Sequence, residues 1–297
     1  MLPMARGSYQ VPSGGWVRTP DRPVGWVAPG PAPTPERQWA PHLLPRENED
    51  LCFLTGDWRI LQRLDGHRYS LDDLVTAWFA ARLVVDRPVR RTLDLGCGIG
   101  SVLMMTAWRF SDARCVGVER QAVSVDLARR SLQINGATPR CAVVHQDLRD
   151  TNVQAHGPFD LITGTPPYIL PGDGVISAQI QRGPCRHTLF GGVEDYCATA
   201  ARHLPIGGRF AVCQAASDLD RVRNGADAAG LTIFRQLDVI PRAGRAALFS
   251  VFAMARADDC GRPAFQAVER LTVRDRQGRR TDACLAMRAE MGFPPSA

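Results

Sequence analysis

The feature that most constrains the fold of this 297-residue chain is a regular alternation of apolar and amphipathic segments from Arg91 onward. Strands that alternate with helices are typical of a mostly parallel sheet with helices on both faces. Two further strands flank a turn at 242–244 and predict an antiparallel C-terminal pair. The other five predicted strands are 92–95, 115–119, 142–145, 159–163 and 209–214, and the predicted helices are 102–110, 123–133, 192–204 and 218–229. The sequence therefore predicts an α/β fold with a central seven-stranded sheet.

The segments around this domain, 91–256, differ from it in composition. The first 45 residues contain ten of the 22 prolines, so we expect residues 1–50 to form an extended or disordered arm. Three tryptophans in the arm indicate that part of it docks on the body: Trp16, Trp26 and Trp39. Residues 51–90 predict a hairpin turning at Asp65-Gly66 and then a helix with Ser70 and Asp73 as its capping box. The Arg-rich extension, 257–297, predicts a strand or turn and a short helix.

Composition and charge limit the partners. The sequence has no apolar window of about 18 residues and begins without the apolar run of a signal peptide, so we expect a soluble, cytoplasmic protein with no membrane partner. The nine cysteines show no C-x-x-C pair and no zinc-type spacing, so we expect no metal. A net charge of +6 permits a nucleic-acid partner, because phosphate contacts dominate such affinity.

A glycine loop, "LGCGIG", follows the first strand of the alternation and precedes a helix. Gly96, Gly98 and Gly100 let the backbone approach a ligand and leave helix N-terminal amides free to meet its polar groups. A dinucleotide fingerprint would need a glycine where Ser101 stands, so the spacing does not match that fingerprint. Asp94, inside the strand, either holds the loop by accepting its amides or reaches an amine of the ligand.

Acidic residues follow the next two strands. Glu119 ends the second strand, where a carboxylate can accept both ribose hydroxyl protons. Asp147 follows the third strand, where it can accept from an adenine amine. Ligands bind at the carboxyl ends of strands in open α/β sheets, so the glycine loop and both acids predict one site at that edge.

A rigid corner, Thr165-Pro166-Pro167-Tyr168, follows the fourth strand. The two prolines have no N–H, so the corner presents carbonyl oxygens. Acceptors that bind the hydrogens of a delocalised amine can localise its lone pair and aim it at an electrophile. Tyr168 is then expected to stack on the planar group that carries the amine. The corner predicts amine chemistry beside the nucleoside site, and Thr165, Pro166, Pro167 and Tyr168 are its candidate catalytic residues.

Four motifs in this order, "LDLGCGIG", "VGVER", "HQDL" and "GTPPYI", resemble class I S-adenosylmethionine-dependent methyltransferases that modify exocyclic amines. The segments on either side narrow the resemblance to the small-methyltransferase-domain group, especially bacterial tRNA adenine-N6 methyltransferases, over about residues 55–256. The resemblance implies a Rossmann-like class I methyltransferase fold, an S-adenosyl-L-methionine cofactor, and a cover over the cofactor from 51–90, with a contribution from 69–72. Its implied cofactor-binding residues are Asp94, Gly96, Cys97, Gly98, Gly100, Glu119, Arg120, Asp147, Leu148 and Thr165.

One departure keeps the substrate open. The family usually has Asn where this chain has Thr165, and a Thr hydroxyl both donates and accepts whereas an amide oxygen only accepts. Adenine N6 in tRNA or another RNA is the first prediction. The alternatives are a protein glutamine-N5 methyltransferase, a DNA amino-methyltransferase acting for example on cytosine N4, and a non-catalytic cofactor-binding homologue.

Arginines are the candidate contacts to the nucleic acid. The long segment after the corner carries Arg182 and Arg186, with His187 beside them, and these side chains can bind phosphates. The arginines from Arg274 to Arg280 lie outside the matched region, and both phosphate binding and simple solvation remain open for them.

Overall fold

The structure is a computed structural model that describes residues 8–18, 22–34, 40–150, 153, 156–168, 188 and 191–295. Its strands are β1 (Ser8–Gln10), β2 (Trp16–Arg18), β3 (Glu49–Thr55), β4 (Trp58–Arg63), β5 (Arg91–Leu95), β6 (Arg114–Glu119), β7 (Cys141–His145), β8 (Leu161–Gly164), β9 (Arg209–Ala215), β10 (Leu231–Ile240), β11 (Phe249–Arg256) and β12 (Glu269–Thr272). Its α-helices are α1 (Leu71–Arg82), α2 (Ser101–Arg109), α3 (Ala122–Ile134), α4 (Val193–His203), α5 (Leu219–Ala228) and α6 (Asp282–Glu290), and a short 3-10 helix spans Pro41–Leu43.

The central sheet has the order β12-β10-β11-β9-β8-β5-β6-β7. Its pairs from β9 to β7 are parallel, and β11 is antiparallel to both of its neighbours. The predicted mostly parallel sheet with an antiparallel C-terminal pair is therefore confirmed. The strand count differs, because β12 from the C-terminal extension pairs with β10 and makes eight strands instead of seven. This strand covers the backbone groups that β10 would otherwise leave unpaired at the sheet edge.

Helices cover both faces of the sheet. Helices α1, α2, α3 and α6 contribute to one apolar cluster, and α4 and α5 contribute to a second cluster with β5, β6 and β8. Each helix of the alternation begins and ends within one residue of its predicted bounds, because apolar side chains at helical spacing pack on the sheet. Among the residues that the structure describes, no helix is both long and apolar enough to cross a membrane.

A second, four-stranded sheet has the order β1-β2-β3-β4 and corrects the prediction of an extended or disordered arm. Strands β1 and β2 pair with each other, and β2 runs parallel to β3 with Trp16 opposite Asp50. The sheet therefore crosses the expected boundary between residues 50 and 51. Its other edge strand, β4, is covered by α3: the amides of Arg59 and Leu61 donate to Asn135 (2.8 Å) and Ser131 (3.0 Å) side chains. These bonds satisfy edge-strand donors and fix the small sheet to the main domain.

The hairpin before α1 lies earlier than the sequence predicts. Strands β3 and β4 pair with Thr55 opposite Trp58, so Gly56 and Asp57 form the turn. Gly56 has φ +55°, which glycine adopts at no steric cost, and Asp65-Gly66 follow β4 instead. The sequence prediction assigned residues up to 50 to the N-terminal arm, so the start of β3 at Glu49 was missed. In the folded chain Asp50 is fully buried and binds the guanidinium groups of Arg18 and Arg68.

Helix α1 begins where the capping box predicts. The backbone amide of Ser70 donates to the Asp73 carboxylate at 2.8 Å, which satisfies a donor at the start of the helix. The helix packs against α2 and lies close to β8, β9 and β11. Its first turn consequently lies beside the carboxyl ends of β5 and β8.

Candidate functional site

The carboxyl ends of β5, β6, β7 and β8 meet at one edge of the sheet, where a cleft opens. Nine of the predicted site residues line this cleft: Gly96, Cys97, Gly98, Glu119, Arg120, Asp147, Leu148, Thr165 and Pro167. Residues from four separate strand ends therefore share one concave surface. Parallel strands bring their carboxyl ends to the same edge, which explains why spacing along the chain was sufficient to group them.

The glycine loop forms the floor of the cleft. Gly96, Gly98 and Gly100 have φ of +57°, +54° and +86°, values that residues with a side chain rarely adopt. A Cβ on Gly96 would lie 2.0 Å from the hydroxyl of Tyr196, whereas a Cβ on Gly98 would meet nothing within 4 Å. Gly96 thus makes room for a tyrosine of α4, and Gly98 leaves open space for a ligand.

Glu119 is 7% exposed and fixed at the end of β6. Its carboxylate accepts from the backbone amides of Gly98 (3.0 Å) and Gln121 (2.6 Å). Burial raises the pKa of Glu119, and the two amides partly offset that effect. Because two oxygens offer about four lone-pair positions, the carboxylate retains acceptor capacity toward the cleft.

Asp147 lies in the cleft wall but is already paired. Its carboxylate accepts from the Arg149 backbone amide at 3.0 Å and from the Arg149 guanidinium at 2.9 and 2.7 Å. The Arg120 guanidinium lies 3.2 Å away. These bonds, with those from Arg149 first, lower the pKa of Asp147. An adenine amine that binds here must share the carboxylate with the Arg120 guanidinium, whose contact of 3.2 Å is the longest of these.

Two predicted cofactor residues lie behind the loop instead of in the cleft lining. Asp94 is buried in β5, where one carboxylate oxygen accepts from the Thr163 hydroxyl at 2.8 Å. Its other oxygen is buried and has no hydrogen-bond partner among the described residues. Burial raises the pKa of Asp94 to about 8. Gly100 starts α2, and a Cβ there would lie 3.2 Å from the Ala128 side chain, so close helix packing accounts for it.

The four residues of the Thr-Pro-Pro-Tyr corner lie in different surroundings. Thr165 and Pro167 line the cleft, and Pro166 is buried. Tyr168 packs its ring against the core beneath α1, and its hydroxyl lies 3.1 Å from the Asp72 carboxylate and 3.0 Å from the Cys213 sulfur. Tyr168 was expected to stack on a substrate. In this structure its hydroxyl connects the corner to the first turn of α1 and to β9.

Asp73 is the most informative residue that the sequence reasoning missed as a site residue. Its carboxyl group accepts from the Ser70 amide at 2.8 Å, and the residue lines the cleft. Burial, and then the neighbouring Asp72 charge, raise the pKa of Asp73 to about 7, while the Ser70 amide and the nearby side chains of Ser101 and Thr165 act in the opposite direction. The capping-box pattern gave Asp73 a structural role, which concealed that the same carboxyl group faces the site.

Other cleft residues come from segments that the motifs did not mark. His67 precedes α1, Ser101 begins α2, and Tyr196 lies in the first turn of α4. No sequence motif predicted the position of the Tyr196 ring, for which Gly96 and Gly164 leave room: a Cβ on Gly164 would lie 2.5 Å from that ring. The predicted substrate contacts Arg182 and Arg186, with His187, lie outside the described residues.

Residues 70–182 match the family described as "Methyltransferase small domain". This range contains α1, the glycine loop, both strand-end acids and the Thr-Pro-Pro-Tyr corner, and it ends before Tyr196 and the C-terminal extension. This segment of the chain is similar to a small methyltransferase domain. The predicted resemblance is therefore confirmed for residues 70–182.

Curated relatives of this methyltransferase domain fall into two groups. The chain is 28% identical over 150 residues to the release factor glutamine methyltransferase of Mycobacterium leprae, a match covering 47% of this chain and 50% of that protein. It is 31% identical over 155 residues to the tRNA1(Val) (adenine(37)-N6)-methyltransferase of Bacteroides thetaiotaomicron, covering 52% of this chain and 64% of that protein. The Tolumonas auensis protein of that name is 28% identical over 217 residues, covering 71% and 85%. The chain thus spans between half and two thirds of the first two relatives.

Solved structures support the same fold. A predicted O-methyltransferase from Agrobacterium tumefaciens matches with a TM-score of 0.52 at 17% identity, covering 75% of this chain and 98% of that chain. A putative class I S-adenosylmethionine-dependent methyltransferase from Listeria monocytogenes matches with a TM-score of 0.51 at 14% identity, covering 69% and 68%. The Rossmann-like fold of the methyltransferase domain is therefore confirmed.

Proposed function

We propose that the chain is an S-adenosylmethionine-dependent N-methyltransferase whose substrate is an exocyclic amine. The proposed amine is N6 of adenine in RNA, and tRNA is the first candidate RNA. The observation that carries this proposal is the position of Thr165 and Pro167. Both residues line the same cleft as Gly98, Glu119 and Asp147. An amine held at the corner would lie directly beside a nucleoside held at the strand ends.

The residues of the cleft fit the cofactor. Gly98 offers open space above its Cα, Glu119 offers a fixed carboxylate to ribose hydroxyls, and Leu148 contributes apolar surface. Asp147 is the less available acceptor, for the reason given above. When bound, S-adenosylmethionine supplies a methyl group that an amine nitrogen can attack. The role of this chain is to hold the amine, orient its lone pair and take its proton.

Thr165 is suited to orient the amine. Its carbonyl oxygen precedes two prolines that donate no hydrogen bond, and its hydroxyl can accept from an N–H while donating to a carboxylate. Two acceptors that bind the amine hydrogens direct the nitrogen lone pair away from the corner and into the cleft.

Asp73 is suited to receive the proton. A methylated amine nitrogen carries one proton more than the product and must release it. The hydroxyl of Thr165 can take that proton as it gives its own to the Asp73 carboxylate, which leaves the hydroxyl unchanged and the carboxyl group protonated. The position of Thr165 and Asp73 in the lining of the same cleft supports this path, and so does the raised pKa of Asp73 at about 7.

RNA is favoured over protein by the extent of the similarity. The match to the Tolumonas auensis adenine-N6 methyltransferase covers 85% of that protein. The match to the glutamine methyltransferase of Mycobacterium leprae covers 50% of its length, and that to the Chlorobaculum tepidum protein covers 27%. The net charge of +6 also suits a polyanionic substrate.

The test is to incubate the protein with methyl-labelled S-adenosylmethionine and separate fractions of tRNA, rRNA, DNA and protein. We expect label in tRNA, at an initial rate that is about 100-fold lower when Thr165→Ala protein replaces the wild type. Label confined to the protein fraction, on a glutamine side chain, would contradict the RNA proposal and support the second candidate function, glutamine-N5 methylation. Tight cofactor binding without label in any fraction would contradict both.

A further inference from the structure

A second cavity lies under the C-terminal extension, and its lining carries three arginines and no acid. The cavity has a volume of about 310 Å³. Its lining consists of Leu71, Leu74, Pro241, Val273, Arg274, Arg280, Cys284, Met287 and Arg288. Arg274 and Arg280, for which the sequence left phosphate binding and simple solvation open, therefore line one cavity.

The backbone holds two of these arginines side by side. Arg274 and Arg280 form an antiparallel bridge, so their side chains leave the hairpin on the same face. The third, Arg288, comes from the last turn of α6. Like charges placed directly opposite each other in an antiparallel pair destabilise that pair. The Arg274 guanidinium also donates to the Gly278 carbonyl at 2.6 Å, and an anion in the cavity would reduce the remaining repulsion between the two arginines.

Two of the acids near the hairpin and α6 have other partners, and Asp282 at the start of α6 does not line the cavity. Asp275 pairs with Arg279 at 2.9 Å, and Glu290 accepts from the Trp78 indole at 2.8 Å. Among the described residues, none of the three cavity arginines forms an ion pair. The positive charge of the cavity is consequently not neutralised within this part of the protein.

Arg288 adds a buried donor to the cavity. Its guanidinium lies 4.3 Å from the centre of the Phe293 ring, which fixes the side chain. Its Nε atom is buried and has no hydrogen-bond partner in the described part of the chain. Burial, and then the charges of Arg280 and Arg274, lower the pKa of Arg288. An anion in the cavity would give the Arg288 guanidinium both a hydrogen bond and neutralisation of its charge.

The cavity lies on the substrate side of the sheet. Strands β10 and β12 run parallel with Ile240 opposite Thr272, and Pro241 and Val273 in the cavity lining directly follow them. This edge also carries the carboxyl ends of β5, β8 and β9, because those strands run in the same direction. Helix α1 separates the two sites, with Leu71 and Leu74 in the cavity and Asp73 in the cleft. The separation is therefore about one helix diameter, roughly 10 Å.

We propose that this arginine cavity binds a backbone phosphate of the RNA strand that presents the target amine. The proposal rests on the proposed function for the identity of the strand, while anion binding by the cavity is testable without any methyl transfer. Guanidinium groups match the oxygens of phosphate in planar, paired hydrogen bonds. Contacts to phosphate position a nucleic acid without reading its sequence. The cavity would fix the strand beside the corner, and the cleft would select the base.

The first experiment measures binding of bulk tRNA to the full-length wild type and to Arg280→Gln over a series of salt concentrations. Each lost phosphate contact reduces the salt slope of the logarithm of the binding constant by about 0.7 to 0.9. We expect Arg280→Gln to lose about that much slope and to bind tRNA about 5- to 20-fold more weakly at low salt, as typical for one charge-assisted contact. Arg276→Gln is the matched control, since Arg276 is exposed on the same hairpin and does not line the cavity.

Equal tRNA affinity and equal salt slope in Arg280→Gln and Arg276→Gln would overturn the proposal. Arg280→Lys, which keeps the charge, is expected to recover part of the tRNA affinity. Folded Arg280→Lys that binds tRNA no more strongly than Arg280→Gln would count against a phosphate contact. Cofactor affinity is expected to stay unchanged in all three variants, because none of these side chains lines the cleft.

The second experiment separates a strand phosphate from a free anion. We expect inorganic sulfate to raise the melting temperature of the wild type more than that of Arg280→Gln, with potassium chloride at equal ionic strength as the control. Sulfate stabilisation of the wild type without any change in tRNA binding would identify a small-anion site and contradict the proposal. If tRNA is not methylated but Arg280→Gln still binds it more weakly, the proposed function fails while the phosphate site stands.

Discussion

Thr165, directly after β8, lies close enough to Asp73, in the first turn of α1, for its hydroxyl to oppose the raised pKa of the Asp73 carboxyl group. The two residues are 92 positions apart in the sequence, and both line the cleft. Thr165 stands where the related family usually has Asn. A hydroxyl in this position can pass a proton to the carboxylate, which gives the departure a chemical consequence.

Substitutions at Thr165 test that consequence. Thr165→Ser keeps the hydroxyl, so we expect kcat to remain within about threefold of the wild type. Thr165→Ala removes it, and we expect kcat to fall about 100-fold, the lower end of the range for positioned proton transfer. Single-turnover methyl transfer measures both, with calorimetric cofactor binding as the control. Equal rates for Thr165→Ala and Thr165→Ser would show that the hydroxyl takes no part.

The pH dependence of methyl transfer tests Asp73. A carboxyl group whose pKa is raised to about 7 is protonated below that pH and cannot accept a proton, so kcat should rise as pH increases through about 7. Asp73→Asn should react more slowly and lack this limb. The other titratable groups that face Asp73 are Asp72 on the same helix, Asp94 in β5, Tyr69, and Cys213 in β9. An unchanged limb in Asp73→Asn would assign the titration to one of these groups.

Two substitutions at Tyr168 separate the contribution of its ring from that of its hydroxyl. Tyr168→Phe removes the hydroxyl contacts to Asp72 and Cys213 but keeps the ring, so we expect the free energy of unfolding to fall by about 1 kcal/mol with kcat nearly unchanged. Tyr168→Ala also removes packing beneath α1, and we expect kcat to fall at least tenfold with a clear loss of stability. Denaturant unfolding and single-turnover rates give the comparison. A kcat loss in Tyr168→Phe as large as in Tyr168→Ala would mean that the hydroxyl is the essential part.

Asp94 predicts an unusual pH dependence of stability. Its pKa rises from an ordinary 3.8 to about 8 on folding, so the folded chain binds the proton more tightly. The corresponding stability is fully present below about pH 4 and is lost as pH rises through about 8. Between pH 5 and 8 we expect the free energy of unfolding to fall by about 2 to 4 kcal/mol more in the wild type than in Asp94→Asn.

The control for this comparison is Asp112→Asn, which changes an exposed acid and should retain the wild-type slope. Carboxylates whose pKa is lowered, such as Asp147, act in the opposite direction and at lower pH, so they do not produce this trend. A parallel pH profile for Asp94→Asn and the wild type would mean that Asp94 is charged in the folded chain.

The sequence predicted those parts of the site that lie at or just after the end of a strand. Parallel pairing of the strands is enough to bring these residues together: Gly96, Glu119, Asp147 and Thr165. Tyr196 depends instead on how α4 packs over the loop, and no local pattern encodes that contact.

The N-terminal sheet was missed for a related reason. Asp50 and Glu49 look like loop residues in the sequence, and they are buried only because arginines from distant segments neutralise them. Arg130, which binds Glu49 at 2.9 Å, lies 81 positions further along the chain. Charge pairs across such separations follow from the tertiary fold and cannot be deduced from the local pattern.

The measurement that tests the central claim most directly is the identity of the nucleoside that gains the methyl group. Bulk tRNA lacking the modification is incubated with the protein and labelled S-adenosylmethionine, digested to nucleosides and separated by mass. We expect labelled N6-methyladenosine, formed about 100-fold more slowly by Thr165→Ala. Label found only in N4-methylcytosine, or only on a protein glutamine, would contradict this expectation.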